Sequence, residues 1–157
     1  MNALEALFPG LRETNHLLTS PRDRKYNCIA WAAGDTRRWW WPDPQPDDEG
    51  YYWPPEASND ENLATFVAVF MQLGYQPCDG EAAEPGWERI ALYATGDSVT
   101  THAARQLANG RWSSKLGRWE DIEHGLRDLE GESYGTVAQI MKRLAPSEPA
   151  SQAQGTP

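Results

Sequence analysis

The sequence predicts an α+β fold, a single domain in which two helices pack on an antiparallel sheet of about three to five strands. Three observations predict it. Asn27 can cap a short helix that opens at Cys28, runs apolar nearly all round through Ile29, Ala30, Trp31, Ala32 and Ala33, and stops at Gly34. Leu63, Phe66, Val67, Phe70, Met71 and Leu73 recur at helical spacing. Residues 100–107 and 111–116 flank Asn109-Gly110, a hairpin turn signal. The 157 residues suffice for one domain with a real core, which we assign to residues 1–144. Pro, Ser, Gln and Gly dominate residues 145–157, the composition of a disordered tail.

In chain order, Leu4, Leu7, Phe8 and Leu11 are predicted to pack one helical turn onto the body, with turns at Pro9-Gly10 and Ser20-Pro21. Arg22, Arg24 and Lys25 form a small basic knot before Cys28, of the kind that usually lies in solvent. Five prolines between Pro42 and Pro55 forbid a regular helix or a central strand, so residues 37–55 read as a long aromatic loop. Two roles are open to it: a lid that roofs Cys28, or rings folded back to cover the core. Its acids, Asp43, Asp47, Asp48 and Glu49, would face solvent. Ser58-Asn59-Asp60-Glu61 has the form of a capping box and predicts a helix over 59–73, ended by Gly74. An extended segment to Cys78, a loop over 79–87 and a strand over 89–95 follow. Helices are predicted over 119–129 and 136–144.

The formal net charge of −9 and the absence of a Lys/Arg run exclude nucleic acid as a partner. The same charge discourages docking on anionic membranes, and no apolar run approaches the ~20 residues of a membrane span. The first ten residues lack the basic start and apolar stretch of a signal peptide, so a cytoplasmic location is expected. Two cysteines are too few for a disulfide framework; a Cys28–Cys78 bridge is disfavoured in a reducing compartment. Cys28, Cys78, His102 and His124 lack metal-ligand spacing, so neither metal nor cofactor is expected. Eight tryptophans point to a rigid aromatic core or a stacking surface.

A cysteine at a helix start sits where free N–H groups and the macrodipole favour a thiolate, although free cysteine also commonly only packs. A histidine is then needed. With a two-residue turn, His102 shares a face with Gln106, Arg111, Ser113 and Lys115. With a three-residue loop, 108–110, and Gly110 left-handed, 107 opposes 111 and 104 opposes 114. His102 then shares a face with Ala104, Trp112, Ser114 and Leu116, while Arg105, Arg111, Ser113 and Lys115 take the other. The second register separates polar from apolar better and is preferred. It puts Ser114 diagonal to His102, able to orient the ring. His124, after Asp121, is the alternative base.

The order of helix-start cysteine, strand, histidine hairpin and polar residue twelve positions on resembles the papain-like cysteine peptidases and amidases of the NlpC type. The resemblance implies a papain-like fold and acyl transfer to or from an amide or peptide substrate. Cys28 would be the nucleophile, His102 the base and Ser114 the third position, with the Cys28 N–H helping to bind the oxyanion. Asn27 and Trp31 beside the cysteine, and Trp40 and Trp53 from the aromatic loop, are the candidate substrate-binding residues. The chain is also similar, over about residues 20–144, to a small uncharacterised bacterial family. Its members share Tyr-Asn-Cys-Ile-Ala-Trp-Ala and a His-Ala-Ala-Arg-Gln-Leu…Trp-x-Ser-Lys-Leu-Gly block. Two functions compete: a cysteine amidase, peptidase or acyltransferase, and a catalytically inactive binding or immunity-type domain that meets a protein partner through the aromatic loop.

Overall fold

The computed structural model describes residue 8, the backbone of 17–20, and residues 25–42, 50–116 and 121–145. In chain order the elements are β1 (Leu17–Ser20), α1 (Cys28–Ala33), β2 (Trp39–Trp40), β3 (Tyr51–Tyr52), α2 (Leu63–Gln72) and β4 (Gln76–Cys78). There follow β5 (Trp87–Ala94), β6 (Thr100–Gln106), β7 (Trp112–Lys115), β8 (Asp121–His124), a 3-10 turn (Leu126–Leu129) and β9 (Thr136–Leu144). Seven strands form one sheet in the order β1-β8-β7-β6-β5-β9-β4. Every neighbouring pair in it is antiparallel. The fold is α+β, and among the described residues it has more strands than the sequence predicts.

Two of the extra strands, β8 and β9, lie where the two C-terminal helices are predicted. Val137, Ile140, Met141 and Leu144 fall at helical spacing, yet they lie in a strand held between β5 and β4. Such a strand is apolar on both faces, so strict alternation disappears. Met141 opposes Ile90 on one face, and Ile140 opposes Ala91 on the other. In β8 the pattern is plain alternation: Ile122 and His124 point to one face, Asp121 and Glu123 to the other.

Each face of the sheet carries its own core. Ile90, Leu92, Ala103 and Met141 pack against Cys28, Ile29 and Ala30 of α1 and Phe66, Val69 and Phe70 of α2. On the reverse, Ala91, Tyr93, Ala104, Trp112, Ile122 and Ile140 are covered by Phe8 and the 3-10 turn. Among the described residues, no helix is long and apolar enough to cross a membrane.

Helix α2 starts four residues later than predicted, because residues 58–62 are committed elsewhere. Asp60 accepts the Asn62 N–H and the Thr65 hydroxyl. Asn62 forms a bridge with Val99, and the Thr100 N–H reaches the Glu61 carbonyl at 2.8 Å. The capping box therefore does not form. The aromatic stretch is also more ordered than a loop: β2 and β3 pair in parallel, Trp39 with Tyr51 and Trp40 with Tyr52. Trp40 and Trp53 are buried, and the Trp41 and Trp53 rings flank Phe66 at 5.4 and 5.0 Å. Most of these rings fill the helix-side core. The acids at 43, 47, 48 and 49, the N-terminal Leu4, Leu7 and Leu11, Arg22, Arg24 and nearly all of the tail lie outside the described residues.

Candidate functional site

The local sequence builds α1 as predicted. The Asn27 Oδ1 accepts the Ala30 N–H at 3.0 Å, and Gly34, at φ 89°, closes the helix in the left-handed conformation. The same Asn27 amide stitches β2 to the helix: its Oδ1 takes the Trp40 N–H at 3.1 Å and its Nδ2 donates to the Trp40 carbonyl at 2.8 Å. Cys28 is sealed between α1 and β6. Burial pushes its thiol up to about 11; backbone hydrogen bonds from Ala103 and Ile29, and the charge of Lys115, pull the other way and lose. Lys115 is fully buried, its ammonium 5.0 Å from the centre of the Tyr26 ring, and the Tyr26 hydroxyl donates to Asp121 at 2.9 Å. The sequence reading missed this polar cluster by leaving Ser113 and Lys115 on a face away from the core. Both are buried under the helix side instead. The available signal was their equal spacing with Ala103 across the hairpin, which α1 covers.

The preferred hairpin register is the one observed. Leu107 receives Gly110 and donates to Arg111, Gly110 has φ 89°, and Arg105 opposes Ser113. His102 Nε2 lies 2.9 Å from Ser114 Oγ, as the diagonal placement predicts. Ser114 Oγ lies 2.7 Å from His124 Nε2, and His124 Nδ1 is 2.7 Å from the Gly125 carbonyl. Tyr134 stacks on His102 at 4.1 Å, nearly parallel. Burial, and then His124, hold the His102 imidazole well below its usual range.

Residues 17–142 match the family described as a domain of unknown function, DUF7689. The chain belongs to this family. The matched span of the DUF7689 domain runs from β1 into β9 and so takes in α1, α2 and the histidine chain. No curated protein and no solved structure matches it.

In this DUF7689 domain, Cys28 and His102 are not brought together. Cys28 packs with Ala103 on the helix side, whereas His102 opposes Tyr93 and points to the reverse face. His102 Nε2 is engaged by Ser114, and its Nδ1 has no hydrogen-bond partner among the described residues. The structure joins His102, Ser114 and His124, and gives Cys28 the company of Lys115. Of the candidate substrate-binding residues, Asn27 and Trp40 are occupied with each other, and the Trp40 indole also donates to Asp35. Trp53 is buried with its indole on the Ser58 carbonyl. Trp31 stays half-buried, with Arg105 over its ring at 4.8 Å. Both cysteines are free thiols, Cys28 buried and Cys78 half-exposed. Among the described residues, no group of three or more His, Cys, Asp or Glu is placed to hold a metal.

Proposed function

We propose that this domain is a non-catalytic binding module that recognises a protein partner through the β2–β3 ribbon. The observation that carries the reading is the separation of the Cys28 thiol from the His102 imidazole. Acyl transfer by cysteine needs a thiolate and a histidine within hydrogen-bond reach. A buried thiol near 11 holds roughly one molecule in ten thousand as thiolate at pH 7. A papain-like cysteine hydrolase keeps one point of support, a cysteine opening a helix on an antiparallel sheet, but lacks the pairing that would make it act. The ribbon supports recognition instead. Tyr51 is 43% exposed, Arg37 is exposed, and Arg38 stacks over Tyr52 at 3.8 Å while it pairs with Asp35. An open hollow of about 750 Å³ is lined by residues 33–38, Trp40 and Leu73. Tyrosine, tryptophan and arginine are the residues that most often anchor protein interfaces.

Alkylation by iodoacetamide at pH 7.5, read by peptide mass, tests the reading. Cys78 is expected to react at least about 100-fold faster than Cys28, because burial denies Cys28 both access and thiolate. A Cys28 that reacts as fast as Cys78 returns the acyl-transfer reading and removes this one. The ribbon itself is tested by Arg37→Glu with Tyr51→Ala. Both side chains are exposed, so stability should change by no more than about 1 kcal/mol.

A further inference from the structure

We propose that Arg89 and Lys142 form a carboxylate seat for an acidic side chain of a partner polypeptide, and that the chain's own Glu84 fills it until that partner arrives. The seat begins with strand register. Arg89 of β5 stands directly opposite Lys142 of β9. Like charges so placed repel, and the pair calls for an anion between them. Glu84 supplies one: its Oε1 accepts from Arg89 Nη2 and lies 3.4 Å from Lys142 Nζ. The hydrogen bond from Arg89, and then that from Lys142, hold the Glu84 carboxyl below its usual range. A net charge of −9 repels an acidic segment from the rest of the chain, which confines it to this pair.

The present occupant uses the seat in part. Arg89 is 4% exposed, and a guanidinium offers a carboxylate two parallel N–H donors. Glu84 takes one of them. Arg89 Nε is spent on the Gly80 carbonyl at 3.0 Å, and Nη1 has no hydrogen-bond partner among the described residues. A buried, charged donor without an acceptor marks a place for an oxygen from elsewhere. Glu84 is not free to supply it, because its own carbonyl is tied to the Trp87 N–H at 3.1 Å. A carboxylate on a separate chain has no such tie and can meet Nη1 and Nη2 together.

The cover over Arg89 can move. Residues 79–86 form a strap, exposed along its whole length, on the sheet face opposite α1. Gly80 lies against the guanidinium, where a Cβ would stand 3.6 Å from Nη2. The strap's further ties are polar: Gln106 donates to the Glu81 carbonyl at 2.6 Å, and Arg127 pairs with the Glu81 carboxylate. Hollows of about 600 and 210 Å³ flank it, the first lined by Glu84, Trp87 and Gln106, the second by Glu81, Arg127 and Gln139. Among the described residues, neither apolar core draws a side chain from the strap, so lifting it uncovers little apolar surface. The seat shares no residue with the β2–β3 ribbon.

Titration of the full chain with a capped hexaglutamate peptide, followed by the Arg89 Nε–H and Trp87 indole signals in nitrogen-15 NMR, tests the seat. Glu84→Gln removes the competing charge and should bind the peptide at least about tenfold more tightly than the wild type. Adding Lys142→Gln to that variant should return the affinity to the wild-type level or below. Hexaglutamine and inorganic phosphate serve as controls. If Glu84→Gln does not fold, the wild type decides: hexaglutamate must move the Arg89 Nε–H and Gly80 signals, and hexaglutamine must not. Absence of binding by Glu84→Gln, equal affinity of variant and wild type, binding of hexaglutamine as well, or binding of phosphate in place of the peptide would each overturn the proposal.

Discussion

Asn27→Ala will destabilise the fold by about 3–7 kcal/mol, measured by urea unfolding with an unchanged m-value. The side chain is 3% exposed and makes three hydrogen bonds, one to the Ala30 N–H of α1 and two to the backbone of Trp40. Loss of the cap alone costs about 1 kcal/mol. The remainder comes from Trp40, whose N–H and carbonyl sit beside a buried ring and would be left without partners, at about 1–3 kcal/mol each. Asn27→Asp keeps the cap and the acceptor for the Trp40 N–H but sets an oxygen against the Trp40 carbonyl, so it should not restore full stability. Because Asn27 joins α1 to the ribbon, the alanine variant should also speed the alkylation of Cys28. A loss of only about 1 kcal/mol would mean that the ribbon is held to the body by other contacts.

The contrast between what could be read from the chain and what could not follows the range of the interactions. Helix α1 was legible because Asn27, the apolar run and Gly34 are contiguous, and each acts within one turn of the next. The hairpin was legible down to its register because Gly110 and the alternation of polar and apolar residues constrain the same few positions. What the hairpin cannot reveal is which of its faces a distant helix will cover. Ala103 and Ala104 are equally small, so α1 could pack closely on either side; it takes the Ala103 side and leaves His102 on the other. That choice separates Cys28 from His102, and it also buries Lys115, whose aromatic and acidic neighbours, Tyr26 and Asp121, come from two other segments. Strand β9 was missed for a related reason: its second apolar face is supplied by partners on both sides, and nothing local records that.

Gly135→Ala will cost more than about 3 kcal/mol or prevent accumulation of folded protein, whereas Gly96→Ala will change stability by no more than about 0.5 kcal/mol. A Cβ at Gly135 would lie 2.2 Å from the Ala94 carbonyl oxygen and 2.7 Å from its carbon, and the backbone there has φ 75°. Both problems are backbone problems. Ala94 ends β5, where it opposes Thr136 of β9 and Thr100 of β6, so it is held from two sides and has little room to yield. A left-handed conformation adds about 1 kcal/mol for alanine over glycine. Gly96, by contrast, has no positive φ and nothing within 4 Å of the position its Cβ would take. Should the alanine variant fold at all, the loop must stand off from β5 and carry Tyr134 away from His102. The imidazole would then be wetted and would titrate closer to about 6.5 at a stability already reduced. Equal stability of the two variants would show that the loop does not lie against Ala94, and with that the seat of Tyr134 on the histidine would be lost.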